Sequence, residues 1–338
     1  MFDSKVSLFA KIGIVTVLFV AFVASFMLGR YPIMPAELFQ TIGAHFLDPA
    51  SLEGSKEDTA IFNIRLPRVI VVMLVGAALA MAGASYQGMF KNPLVSPDLL
   101  GASAGASLGA CLALLLDLPS LMIQIFAFTG GILAVAGAVW LNKMVRYDPI
   151  LGLVLGGILV STLFQSGTSI VKLLADASDK LPAITFWLMG SFAKVDNQDL
   201  YLCLIPLALG FAVLLSQTWK LNVLSFGEEE ARSMGVNTRR TRFLVIVAST
   251  LLSSTSVAIA GIVGWIGLVI PHLARAIVGP NYRVLLPTTM FIGAAYLLAV
   301  DDIARLVSSV EIPIGILTSV LGVPFFVVIF RRNMSGWR

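Results

Sequence analysis

The chain is predicted to be an all-α polytopic membrane protein, and three observations carry that prediction. Of its 338 residues 58% are hydrophobic and only 12% are charged, about half the charge content usual in a soluble domain. The apolar residues fall in long stretches free of Lys, Arg, Asp and Glu. Most of these can cross ~30 Å of hydrocarbon at about 1.5 Å per residue. The segments between them sort by charge, as loops on opposite faces of a membrane do.

The charge-free stretches lie at 12–29, 69–90, 99–116, 118–142, 149–171, 200–219, 243–274, 284–300 and 312–330. The run at 243–274 continues to Gly279 past a single charge, Arg275, and is too long for one span. Gly261, Gly264, Gly267 and Pro271 subdivide it, which predicts about ten transmembrane helices in one domain, 1–338. The first run, behind Lys5 and Lys11, is longer than a usual signal-peptide core and is expected to be a retained span. An even number of spans puts both termini on one side. Lys5 and Lys11 at one end, with Arg331, Arg332 and Arg338 at the other, make that side the cytoplasm. Cytoplasmic segments then hold 15 of the 23 basic and 6 of the 19 acidic residues, net +9 inside against −5 outside. The +4 balance of the chain is thereby accounted for, without nucleic acid as a partner.

Arg65 to Gly109 organises the rest. A basic tetrapeptide leads into a wholly apolar run, which Asn92, Pro93 and Pro97 break before a glycine, alanine and serine ladder follows. Broken backbone at membrane depth is tolerated only where protein buries it or water reaches it. Ala80-Met81-Ala82-Gly83 matches Ala258-Ile259-Ala260-Gly261 at an offset of 178 residues, and Pro93/Pro271 and Gly101/Gly279 keep that offset. The expectation is an inverted internal repeat, with a first copy at about 65–175 and a second at about 243–330. Inverted repeats with broken helices in corresponding places mark transport folds.

Several side chains stand out against this background. Ser161, Gln165, Thr168 and Lys172 share one helical face of the fifth span. They are either polar glue between helices or the lining of a water-facing pathway, with Lys172 near its outer mouth. In the cytoplasmic loop 217–242, Glu228, Glu229 and Glu230 suit the first turn of a short helix, which Gly235 would end. That loop is either a solvated charge run or a docking face. Arg65, Arg68 and Arg305 lie at outer span ends, as snorkelling anchors or as receivers of an acidic partner; Asp301 and Asp302 are placed to pair with Arg305. His272, with no second histidine or intramembrane acid near it, is expected to bond nearby backbone. Cys111 and Cys203 act as small hydrophobes. The sequence holds no phosphate loop, no HExxH, no Gly-x-Ser-x-Gly and no paired acids within the spans, so no catalytic residue, metal or cofactor is predicted.

RLPR at 65–68, AMAGASYQGMFKNPLVSPDLLGASAGA at 80–106, GEEEARSMGV at 227–236, GWIGLVIPHLAR at 264–275 and IGILTSVLGVPFF at 314–326 together resemble the FecCD-type permeases. These are the membrane subunits of ABC importers for iron–siderophores, haem and vitamin B12. The resemblance runs from about Arg30 to Arg332. It implies a homodimer of ten-helix subunits in the bacterial inner membrane, with the pathway at the dimer interface. Two cytoplasmic ABC ATPase subunits would bind below, and a periplasmic or lipoprotein substrate-binding protein above. It assigns binding-protein docking to Arg65, Arg68 and Arg305 and ATPase coupling to Gly227, Glu228, Glu229, Glu230, Ala231, Arg232 and Gly235. Asn92 and Leu94 would form a cytoplasmic gate, the polar stripe of the fifth span would line the pathway, and Trp187 to Ser191 would be the short helix outside it. AVDDIAR at 299–305 departs from the family pattern by a second acid, Asp302, which is expected to redirect Arg305. The expected function is import of a ferric chelate by alternating access, powered by ATP hydrolysed on the partner. Cobalamin or an oxyanion such as molybdate is the alternative cargo. An ion-coupled secondary transporter is the rival of another class, disfavoured by the lack of mid-membrane ionisable groups.

Overall fold

The computed structural model describes residues 8–29, 31–48, 55–144, 149–308 and 310–334. Lys5, Arg30, Arg146 and Arg338 lie outside the described residues, as do the side chains of Lys11, Arg331 and Arg332. Every element among the described residues is helical. In order they are α1 Leu8–Met27, α2 Pro35–Leu47, α3 Lys56–Asp58, a π-helical turn Thr59–Arg65, and α4 Leu66–Phe90. A 3-10 turn Pro97–Leu100 follows, then α5 Ala102–Leu115, α6 Ser120–Met144, α7 Pro149–Leu174, α8 Lys180–Met189 and α9 Asn197–Ser216. The chain ends with α10 Thr218–Phe226, α11 Glu228–Ser233, α12 Thr238–Ala260, α13 Ile266–Val278, α14 Tyr282–Leu306 and α15 Ile314–Met334. Six of these stretches are long and apolar enough to cross a membrane: 56–90, α6, 150–174 in α7, α9, α12 and α14. Shorter apolar helices lie within α1 and α15 and over α5 and α13.

The centre of the bundle is α4. Its most apolar window is 83% buried, against 28% for α6, α7 and α9, so α4 is the helix that the others surround. It packs against α9, α12, α13 and α14. No stripe of α4 is polar, which is the pattern of a helix buried all round. Lipid offers no hydrophobic drive for such contacts, so close backbone approach through small residues must supply the packing. Gly83 illustrates the requirement: a Cβ there would run into the Gly267 carbonyl of α13. On the outer helices, Leu133, Leu163 and Ile205 remain more than half exposed, as surfaces meant for lipid or another subunit do.

Helical structure is interrupted beside both buried long helices. After α4, Lys91 turns left-handed at φ 50° and residues 91–96 run without helix. After α12, Gly261 takes φ 68° and residues 261–265 are irregular before α13 begins. The long run at 243–279 is therefore two helices, divided at the first of the glycines that subdivide it. The 178-residue pairing fares differently in detail. Gly83 sits inside α4 whereas Gly261 ends α12, and Pro93 lies in a break whereas Pro271 lies inside α13. What the two halves share is a pattern: a buried helix, a break, and a short apolar helix of 14 or 13 residues.

Candidate functional site

Three arginines meet where the C-terminal ends of α1 and α14 adjoin the N-terminal end of α4. Arg65 closes the π-helical turn and donates to the carbonyls of Phe26 and Tyr31. The Arg68 guanidinium bonds Asp301 through Nη2 at 2.8 Å and Nε at 3.1 Å, and bonds Glu311 at 2.8 and 3.0 Å. Arg305 reaches Asp301 at 3.2 Å and donates to Asp302, which also accepts the Ser25 hydroxyl at 2.7 Å. Arg65, Arg68 and Arg305 are 6–7% exposed and Asp301 is fully buried. Arg68 and Arg305 thus share the carboxylates of Asp301, Glu311 and Asp302, while Arg65 beside them is held by backbone carbonyls. The arginines are not presented as free outward cations, because the same chain supplies their partners. Asp302, the extra acid of AVDDIAR, is one of those partners for Arg305.

The break after α4 is held by side chains from α4 and α13. His272 Nε2 lies 2.8 Å from the Pro93 carbonyl, so this histidine does bond backbone. Gln87 accepts from Arg275 at 3.2 Å and donates towards the Leu268 carbonyl. Asn92 and Leu94 are exposed, and the Asn92 side chain accepts the Leu94 amide at 2.9 Å, an Asx turn that shapes the tip. Below the tip Asp98 accepts the Ser103 hydroxyl.

The second break is held by backbone instead. The Ser191 amide donates to the Ala260 carbonyl at 2.8 Å, and the Ile314 amide to the Gly190 carbonyl at 2.9 Å. These bonds tie the end of α8, the last residue of α12 and the start of α15 together, satisfying groups that helices no longer pair. The short helix expected around Trp187 to Ser191 is α8, which ends at Met189. Behind it lies a cavity of about 650 Å³ lined by Gln124, Trp187, Lys194 and Asp199.

The polar stripe of α7 divides. Ser161 packs on Gly101, Thr168 is 8% exposed and bonds the Phe164 carbonyl, Lys172 is half-buried, and Gln165 alone is exposed. The uncovered polar face lies one step round the helix at Thr162, Gln165, Ser166 and Ser169. Three of these hydroxyls bond carbonyls four residues back, which lets them sit on an apolar helix. Gln165 is the residue that the stripe and this exposed polar face share.

In the loop 217–242, α10 and α11 form a small unit of their own. Ala231 is fully buried in a cluster with Val223, Leu224 and Val236. Gly235, at φ 81°, reverses the chain after α11, a conformation that glycine adopts without strain. Glu228 accepts from Thr238 at 3.1 Å, Arg242 at 3.1 Å and Arg232 at 3.4 Å. Glu229, Glu230 and Arg232 are exposed. The three acids therefore differ: Glu228 pins α11 to α12, while Glu229 and Glu230 are exposed, the Glu230 carboxylate lying back against Gly227.

A buried, broken helix at the centre of an apolar bundle, with a charged helical knob at one end, defines a membrane permease. Residues 17–332 match the FecCD transport family, and the chain belongs to that family of ABC importer permeases. It is 39% identical over 331 residues to the molybdate import system permease protein of Haemophilus influenzae, covering 96% of each chain. It is 38% identical over 297 residues to a probable iron chelatin transport system permease protein of Helicobacter pylori, covering 88% of this chain and 89% of that one. It superposes with TM-score 0.85 and 38% identity on an ABC transporter of metal-chelate type solved in an inward-facing conformation, covering 95% of this chain and 98% of the other. Relatives of this family are inner-membrane, multi-pass proteins, and so is this chain.

Proposed function

We propose that the chain is the permease subunit of a binding-protein-dependent importer that moves a ferric chelate, an iron–siderophore or haem, into the cytoplasm. The observation that carries the importer reading is α11, a six-residue helix on its own small core that leaves Glu229 and Glu230 exposed. Such a knob suits a groove on an ATPase subunit, and ATP-driven closure of that subunit would move α11 and exchange the gates. The likeness to a metal-chelate-type transporter supports the cargo. Molybdate is the second reading, favoured by the relative that matches end to end. In this reading two copies pair with α7 at their interface, and all ten apolar helices cross the membrane with both termini inside. The two helix–break–helix units form the inverted repeat, and Asn92 and Leu94 gate the inner end. Binding-protein docking falls on the outer rim around Arg65, Arg68 and Arg305. There an acidic side chain reaches Arg68 by exchange with Glu311, the most exposed acid of the network at 21%. The test is uptake into vesicles holding permease, ATPase and binding protein, with ferric siderophore, haem and molybdate compared. Uptake that follows a proton gradient and ignores ATP would overturn the importer reading. ATP-driven uptake of molybdate alone would overturn the cargo.

A further inference from the structure

A cavity of about 680 Å³ opens at the cytoplasmic end of α6, α7 and α12, beside α11. Its walls and floor differ in chemistry. Val139, Leu153, Phe243 and Ile246 make the walls apolar, and the floor carries Lys143, Arg232, Arg239, Arg240 and Arg242. One acid, Glu228, lines the same cavity, and it is already shared by Thr238, Arg232 and Arg242. Lys143, Arg239 and Arg240 have no acidic partner among the described residues. Two lining atoms are buried with no hydrogen bond among the described residues: Nε of Arg242, a donor, and Oδ1 of Asn142. A buried guanidinium with an idle N–H, in a pocket with five cations and one acid, calls for an anionic acceptor.

The apolar walls narrow the choice of anion. They continue into side chains that stand open on the flanks of the same helices: Trp140 on α6 at 57% exposed, Phe243 on α12 at 59% and Val247 at 47%. An anion whose other end is hydrocarbon satisfies both halves. A carboxylate on a soluble partner would satisfy only the floor. We propose that this cavity binds the phosphate headgroup of an anionic phospholipid of the inner leaflet, with its acyl chains along α6 and α12. Basic clefts between spans on the cytoplasmic side suit such headgroups. The placement in that leaflet rests on the orientation given under the proposed function; the binding itself does not rest on transport. Because Arg232 belongs to α11, an occupied cavity holds the knob against the bundle. The lipid thereby takes part in setting the position of the element proposed to couple to ATP hydrolysis.

The test uses the full transporter in mild detergent, titrated with dioleoylphosphatidylglycerol or dioleoylphosphatidylcholine and read by native mass spectrometry. The expected result is a preference of about tenfold or more for the glycerol lipid, as several charge-assisted contacts would give. It should be lost in the triple variant Lys143→Ser, Arg239→Ser, Arg240→Ser, whose targets hold no ion pair in the fold. An unchanged preference in that variant overturns the proposal. Displacement of the lipid by millimolar inorganic phosphate would show a site for free phosphate and also overturn it. So would a variant that keeps the lipid but releases the ATPase subunits, since the floor would then be a protein interface. Should the triple variant fail to fold, the wild-type chain still decides. Brominated phosphatidylglycerol should quench Trp140 more than brominated phosphatidylcholine does, a difference that Trp140→Phe removes. Equal quenching by both lipids refutes the site.

Discussion

The arginine network around Asp301 and the basic surface beside α11 use the same residue types to opposite ends. In the first, Arg68 and Arg305 are buried and matched by Asp301, Asp302 and Glu311, and buried Arg65 donates to carbonyls, all within one chain. In the second, Arg239 and Arg240 are exposed, and Glu228 is the one acid lining a cluster of cations. The difference teaches where charge is structural and where it is left for partners. A buried cation without its acid is strongly destabilising, so Arg68 and Arg305 close on acids of their own chain. Exposed charges bear little on stability and remain free to recognise other molecules.

Mutations break this contrast in a definite order. Asp301→Ala should have the largest effect, because it removes the fully buried acid that Arg68 and Arg305 share and leaves them only Glu311 and Asp302. The expected loss is about 3–5 kcal/mol of stability, read by thermal or denaturant unfolding in detergent. Near-wild-type stability would mean that the arginines turn outwards after all. Next, Glu229→Lys with Glu230→Lys should leave stability unchanged and reduce ATP-coupled uptake by roughly tenfold, the effect of losing one or two charge-assisted contacts at a partner groove. Full coupling in that variant would remove the docking role from α11. Glu228→Gln separates the third acid from its neighbours. It should cost about 1 kcal/mol, the worth of a part-exposed ion pair, and loosen α11 in hydrogen exchange over residues 228–236. The smallest change is expected for Glu311→Gln, at less than about 1 kcal/mol, since Asp301 still holds Arg68. That variant should tighten the binding protein several-fold at low salt; weaker docking would show that Glu311 is itself a contact for the partner.

The legible part of this protein was its class. Helix positions followed from charge-free runs, and the break after Phe90 followed from Asn92, Pro93 and Pro97. Periodicity was less informative for α7. Lipid and a partner subunit both accept apolar surface, so the uncovered face carries no hydrophobic signature to distinguish it from the covered one. The arginines at 65, 68 and 305 could be placed at span ends, but their fate could not be read. Asp301 and Glu311 are more than 230 residues away from Arg68 in the chain, and only packing brings α4 and α14 side by side. The cavity at α6 and α12 was invisible for the same reason: Lys143 and Arg239 look like ordinary loop charges until the helices assemble.

By itself the sequence determined a helical membrane protein with a proline-marked break after Phe90 and a short acidic helix in the loop 217–242. Composition and proline placement act locally, through hydrocarbon length and lost backbone hydrogen bonds, so they need no neighbours to be read. Only the tertiary structure decided which charges are closed and which are open. Pairing is a matter of a few ångströms between residues far apart in the chain, and a charge is worth little or much according to whether that distance is bridged.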